Sequence, residues 1–178
     1  MSRIFGPIMQ NGFVVRDLEA AMRHWVEVLG VGPFYVMPRI AFAETRFRGQ
    51  TVDIQMAVAT AYSGDMQIEL VQPLNDAPSI YQEFLAEGRQ GLHHVGVATS
   101  NYAADLARAQ AHGLTVLQGG ATLAGTGFAY FDTAGAFQGT MVELFEATPS
   151  LMAFFAKVQA ASRDWDGSNP IRRPRAAG

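Results

Sequence analysis

His94-Val95-Gly96-Val97-Ala98 repeats, 84 residues later, the pattern of Gln10-Asn11-Gly12-Phe13-Val14: a polar residue, a glycine two places on, and apolar residues beyond it. A second pair, Gln67-Ile68-Glu69-Leu70 and Met141-Val142-Glu143-Leu144, is offset by 74. A duplication whose second copy is 10 residues shorter in its middle loops reconciles both offsets, and an internal repeat says more about a fold than either copy alone.

Working outward, each copy begins with a strand that runs into a helix. In the first, Asp17 is placed to cap a helix on which Leu18, Ala21, Met22, Trp25, Val28 and Leu29 recur at helical spacing up to Gly30. In the second, Tyr102 to Ala111 form the helix, with Leu106 and Ala109 inward and His112-Gly113 as its stop. Three strands follow each helix. They are Phe34 to Met37 extending weakly towards Phe47, Val52 to Thr60 and Met66 to Val71 in the first copy, and Leu114 to Leu117, Phe128 to Asp132 and Thr140 to Phe145 in the second.

The expected fold is therefore α+β: two tandem βαβββ modules, 8–72 and 92–147, forming a curved eight-stranded sheet with helices on its convex side. A connecting segment, 73–91, holds a short helix from Ser79 to Ala86, and 148–178 holds a helix from Pro149 to Ala161 followed by an extended tail, all within one domain.

Composition narrows the function. With 178 residues, 49% hydrophobic and 16% charged, the chain can bury a core without disulfides or a structural metal. A net charge of −3, with basic residues scattered except for Arg172, Arg173 and Arg175, argues against nucleic acid as a partner. The absence of Cys removes thiolate metal sites and Cys nucleophiles. No signal-peptide run and no membrane-length apolar stretch is present, so the expectation is a cytoplasmic protein that does not engage a membrane.

Strand parity then picks out candidate site residues, because successive strand side chains face opposite sides of a sheet. Ile68 and Leu70 oppose Glu69, Val142 and Leu144 oppose Glu143, Phe13 and Val15 oppose Gln10, and Val95 and Val97 oppose His94. If the two sheets join into one curved layer, Gln10, Glu69, His94 and Glu143 project into one concavity. Two neutral donors and two carboxylates suit a divalent cation, and such oxygen and nitrogen ligands admit Zn, Ni, Co, Mn or Fe. His93, of opposite parity, belongs towards the helix layer, and His24 and His112 face solvent. Met37, Met56, Phe128, Tyr130 and Phe145 read as core, and Gly119-Gly120 and Gly125-Thr126-Gly127 as turn glycines with no P-loop Lys after them.

The duplicated βαβββ pattern, with Leu92-His93-His94-Val95-Gly96-Val97, Gln67-Ile68-Glu69-Leu70-Val71-Gln72-Pro73-Leu74 and Met141-Val142-Glu143-Leu144-Phe145, resembles the vicinal oxygen chelate superfamily of glyoxalase I, methylmalonyl-CoA epimerase, bleomycin-resistance proteins and extradiol dioxygenases. In that superfamily the metal ligands come from the first and last strands of each module, positions that match Gln10, Glu69, His94 and Glu143. The stretches Pro73-Leu74-Asn75-Asp76-Ala77-Pro78 and Gly91-Leu92-His93-His94 are most similar to methylmalonyl-CoA epimerase, whereas the Gln, Glu, His, Glu set resembles that of glyoxalase I. Gln10 in place of a His departs from the extradiol dioxygenases.

The resemblance implies a divalent-metal-dependent isomerase or lyase that moves a proton next to a carbonyl through an enediolate or enolate held on the metal. It implies Glu143 as the base, Glu69 facing it across the substrate, and a small carbonyl substrate such as an acyl-CoA or thiol adduct. The non-ligand Glu that the epimerases also use falls here on Phe47 or Arg48, with Glu44 several residues away. A homodimer is implied as well, with Phe154 and Phe155 as apolar residues near the exposed end. The competing expectation is a bleomycin-resistance-like protein that sequesters a small molecule without metal or catalysis.

Overall fold

The computed structural model describes residues 4–133 and 141–174; Thr140, read above as the start of a strand, and Arg175 lie outside them. The first half contains β1 (Gln10–Val14), α1 (Leu18–Glu27), β2 (Phe34–Met37), β3 (Phe42–Phe47), β4 (Gln50–Thr51), β5 (Met56–Ser63) and β6 (Met66–Pro73). After α2 (Ile80–Ala86) come β7 (Gly91–Thr99), α3 (Tyr102–Ala111), β8 (Thr115–Thr122), β9 (Gly127–Asp132), β10 (Met141–Glu146), α4 (Pro149–Ser162) and β11 (Ile171–Arg172). Local chemistry sets the helix starts: the side chains of Asp17, Ser79 and Thr148 each accept a backbone N–H of the first turn.

All strands join one curved, unclosed sheet in the order β11-β2-β5-β6-β1-β7-β10-β9-β8-β3-β4. The duplication shows in the pairing: β1 lies parallel to β6, β7 lies parallel to β10, and the halves meet through antiparallel β1 and β7. To the eight strands read from the repeat the structure adds β3, β4 and β11.

The stretch from Phe34 to Phe47 is not one extended strand. It breaks after Met37, leaving β2 near one end of the sheet, while β3 crosses to the other and pairs with β8 of the second half. The crossing backbones pack closely at Gly120, where φ is +155° and a side chain would overlap the Glu44 carbonyl. Gly119 and Gly120 are thus strand residues rather than turn residues, whereas Gly125 occupies the β8–β9 turn with φ +83°.

Three apolar clusters follow from strand alternation. On the convex face, Leu18 and Met22 of α1 pack on Phe34, Ala59, Ile68 and Leu70, and Ala109 of α3 packs with Val97, Phe131 and Leu144. These residues lie on the face that parity assigns to them, whereas α2 and α4, expected on the convex side, cover the concave one. The concave face carries the third cluster, in which Tyr81 and Phe84 of α2 and Phe155 and Val158 of α4 meet Val14, Val71, Tyr130 and Phe145. Phe155 is buried and Phe154 half-buried against Tyr35, so neither offers the free apolar surface on which the dimer expectation leaned. The tail lays β11 beside β2 and seats Trp165 over Gly32, while Arg172 donates to the Tyr35 hydroxyl at 2.9 Å and Arg173 pairs with Glu19. Among the described residues no helix is long and apolar enough to cross a membrane.

Candidate metal centre

The four central strands, β6-β1-β7-β10, place the predicted donors in two neighbouring rows. Gly12 pairs across the sheet with Glu69 on one side and His94 on the other, and Gly96 pairs with Gln10 and Glu143. Each row therefore reads donor, glycine, donor. The glycines are required by the side chains beside them: a methyl group on Gly12 would overlap the His94 imidazole, and one on Gly96 would overlap Gln10 Oε1. Gly12 and Gly96 are equivalent in the repeat, so each copy supplies a ligand position and the gap into which the other copy's ligand leans.

His94 Nε2 lies 3.4 Å from Glu69 Oε2 and 3.5 Å from Glu143 Oε2. One donor atom from each of these residues lies within 4.8 Å of the others, a spacing that could hold a metal ion. Gln10 joins Glu69 and Glu143 in the lining of the same cavity. Gln10, His94 and Glu143 are buried, and Glu69 retains 15% side-chain exposure.

Two atoms indicate how well the set suits a cation. Gln10 Oε1 and His94 Nε2 are buried without a hydrogen-bond partner, although buried polar atoms in native proteins are nearly always satisfied. Gln10 Oε1 is left as a free lone pair because Gln10 Nε2 donates to Gln67 Oε1 at 2.7 Å and Gln67 Nε2 donates to the Tyr62 hydroxyl at 2.9 Å. That chain aims the Gln10 carbonyl oxygen away from Gln67 and leaves it free. Two carboxylates, an imidazole and an amide oxygen are a donor set that a divalent ion would neutralise and satisfy together.

His93 departs from its expected parity. The β1–β7 register slips between Gly12 and Phe13, so His93 is the extra residue of a bulge. Its ring packs on Tyr81 and Phe84 of α2, and its Nδ1 lies 3.1 Å from His94 Nδ1. Burial, aided by the neighbouring His94, lowers its pKa to about 3, so it remains neutral. With the proton of that contact on His94 Nδ1, His94 Nε2 would be the ring nitrogen whose lone pair faces Glu69 and Glu143. Sequence alternation could not reveal this contact, since one inserted residue reverses the parity of everything before it. The participation of Gln67 is legible in retrospect, because it shares a strand face with Glu69. His24 and His112 are exposed as expected.

Charge crowding perturbs the group. Burial, reinforced by Glu69 and opposed by His94 and a hydrogen bond with Tyr130, raises the Glu143 pKa to about 7. For His94, burial favours the neutral ring, but the close approach of the Glu69 carboxylate and the charge of Glu143 outweigh it and raise the pKa. Tyr130 pairs directly across β9–β10 with Glu143 and receives a 3.0 Å hydrogen bond from the buried Tyr81 hydroxyl.

Both groups hold protons more tightly in the folded chain than in the unfolded one, so the stability they contribute is greatest in acid and falls as pH rises, for Glu143 through about 7. In metal-free protein, Glu143→Gln is therefore expected to melt a few degrees above wild type at pH ~8, with the advantage shrinking towards pH ~5. Thermal melts at both pH values check this; an advantage that grows in acid contradicts it.

A cavity of about 490 Å³ opens above the donors. Its floor is Gln10, Glu69 and Glu143; its walls include Met37, Met56, Phe128, Tyr130 and Phe145, which serve as core and lining at once. The β2–β3 crossing, the β8–β9 turn and α4 complete it. Glu44 is tied to Arg46 at 2.6 Å and Arg48 to Glu83 at 3.0 Å, and among the described residues Glu69 and Glu143 are the only carboxylates in the lining.

The family described as the glyoxalase/bleomycin resistance protein/dioxygenase superfamily matches residues 9–131. Methylmalonyl-CoA epimerase from Mycobacterium tuberculosis is similar in structure, with TM-score 0.58 and 22% identity over 86% of this chain and 95% of that one. The Streptomyces coelicolor epimerase, solved with 2-nitronate-propionyl-CoA, gives TM-score 0.55 and 19% identity over 82% and 96%. A hypothetical protein from Bacillus halodurans gives TM-score 0.57 and 17% identity over 80% and 94%. These likenesses show the fold. No match to a curated protein was found.

Proposed function

This chain belongs to the glyoxalase/bleomycin resistance protein/dioxygenase superfamily, and on that premise we propose that it is a divalent-metal-dependent enzyme that transfers a proton at the carbon next to a carbonyl group, in the manner of an epimerase, isomerase or lyase. The observation that carries the reading is the pair of unpartnered buried atoms, Gln10 Oε1 and His94 Nε2, set beside two carboxylates at the floor of a cavity. Gln10, Glu69, His94 and Glu143 would hold the ion. When bound, it supplies Lewis acidity towards the substrate carbonyl.

The chain's own groups do the rest. Glu143, a buried carboxylate on the cavity floor that pairs across the sheet with Tyr130, is placed to accept a carbon-bound proton and to return it. Tyr130 orients that carboxylate through its hydrogen bond, and Glu69, the more exposed of the pair, faces it from the other half of the repeat. The apolar walls keep bulk water off the reacting groups, which strengthens the electrostatic interactions made at the cavity floor.

The test couples metal analysis to isotope exchange. One divalent ion per chain, and metal-dependent incorporation of solvent deuterium next to the carbonyl in a panel of 2-hydroxy ketones, hemithioacetals and acyl thioesters, are the expected results. Protein that takes up no metal yet binds apolar small molecules would instead mark a sequestering protein.

A further inference from the structure

Resting on the metal-site reading above, we infer that the cavity selects a free carbonyl compound with an aromatic or branched apolar body, and that it does not accept a coenzyme A thioester. The walls above the donors are apolar nearly throughout, and Phe128, Phe145, Phe154 and Phe155 supply rings from two strands and from α4. The roof comes from Leu151, Phe154 and Phe155 of α4, which lies beyond the residues matched by the family. A closed pocket of ~150 Å³ already holds benzene; about 490 Å³ accommodates a ring together with the substituent that reaches the donors.

The charge distribution excludes the larger ligand. A coenzyme A ester brings a diphosphate and a 3′-phosphate, which need several cations at the mouth. Arg39 is the only cation among the described lining residues. Neighbouring cations are engaged elsewhere: Arg46 by Glu44, Arg48 by Glu83, and Lys157 and Arg172 over the Tyr35 ring. At the mouth, Leu123 is 69% exposed although it lines the cavity, a position an apolar ligand would cover.

Calorimetry on the zinc-loaded full chain, with acetohydroxamate, benzohydroxamate and propionyl-CoA as probes, tests this. The two hydroxamates present the same vicinal oxygens and differ in the body attached to them. Benzohydroxamate is expected to bind ~10-fold or more tightly than acetohydroxamate, from the added apolar burial, and propionyl-CoA to give no measurable binding. Phe154→Ala should lower the ratio of the two hydroxamate affinities severalfold; Leu123→Ser, at an exposed position that folding does not depend on, should lower it as well. Equal hydroxamate affinities, a ratio unmoved in both variants, or measurable binding of propionyl-CoA would overturn the inference while leaving the metal site standing. Failure to retain zinc, with neither hydroxamate bound, would overturn the metal reading and this inference with it.

Discussion

If the proposed metal site is right, Gly12→Ala is expected to abolish divalent-ion binding while leaving the fold. The added methyl would occupy the space of the His94 imidazole, and the imidazole is the member of that contact able to move, because it rotates about its side-chain bonds whereas Gly12 is locked between β6 and β7. Rotation takes Nε2 away from Glu69 and Glu143, so affinity for a divalent ion should fall at least ~100-fold, the upper range for perturbing a ligand's support and a lower bound for displacing the ligand itself. Circular dichroism should be unchanged. Gly96→Ala should act in the same way through Gln10 Oε1. In the double variant Gly12→Ala/His94→Ala the overlap is gone, and its melting temperature should exceed that of Gly12→Ala alone. Stoichiometric metal in purified Gly12→Ala would refute the reciprocal packing of ligand and glycine.

The second large effect concerns Glu143. Exchanging its carboxylate for an amide keeps the volume and removes the proposed proton acceptor, so metal-dependent deuterium exchange at the substrate carbon should fall ~10²–10⁴-fold, the range that a positioned acid or base contributes. Loss of one negative charge also weakens ion binding, so the measurement belongs at saturating metal, where occupancy is equal in variant and wild type. Glu69→Gln, assayed in parallel, separates the two carboxylates. Full exchange in Glu143→Gln, with loss in Glu69→Gln, would transfer the role of base to Glu69.

Much of this was legible before any coordinates. The offset of 84 that aligns Gln10-Asn11-Gly12 with His94-Val95-Gly96 also aligns the two glycines, and strand alternation assigned Phe13, Ile68, Val97 and Leu144 to one face and the four polar donors to the other. Such properties are local: the side-chain period of a strand is two wherever it runs, and a helix announces itself through its own apolar spacing and cap. The α+β class, the four helices and the candidate donor set rest on those rules alone.

The tertiary structure decided what depends on partners far away in the chain. Whether residues 42–47 continue β2 or cross to β8 is settled by which free edge offers unpaired backbone groups, a property of the assembled sheet. The slip that turns His93 onto His94 arises in the β1–β7 ladder, where one strand carries a residue more than its partner. The need for Gly12 and Gly96 appears only when the opposing strand brings a ligand over each of them. The apolar roof likewise required α4 to fold back over a concavity built by both halves. Periodicity within a strand names the face on which a side chain lies; hydrogen-bond register between strands determines what it meets there.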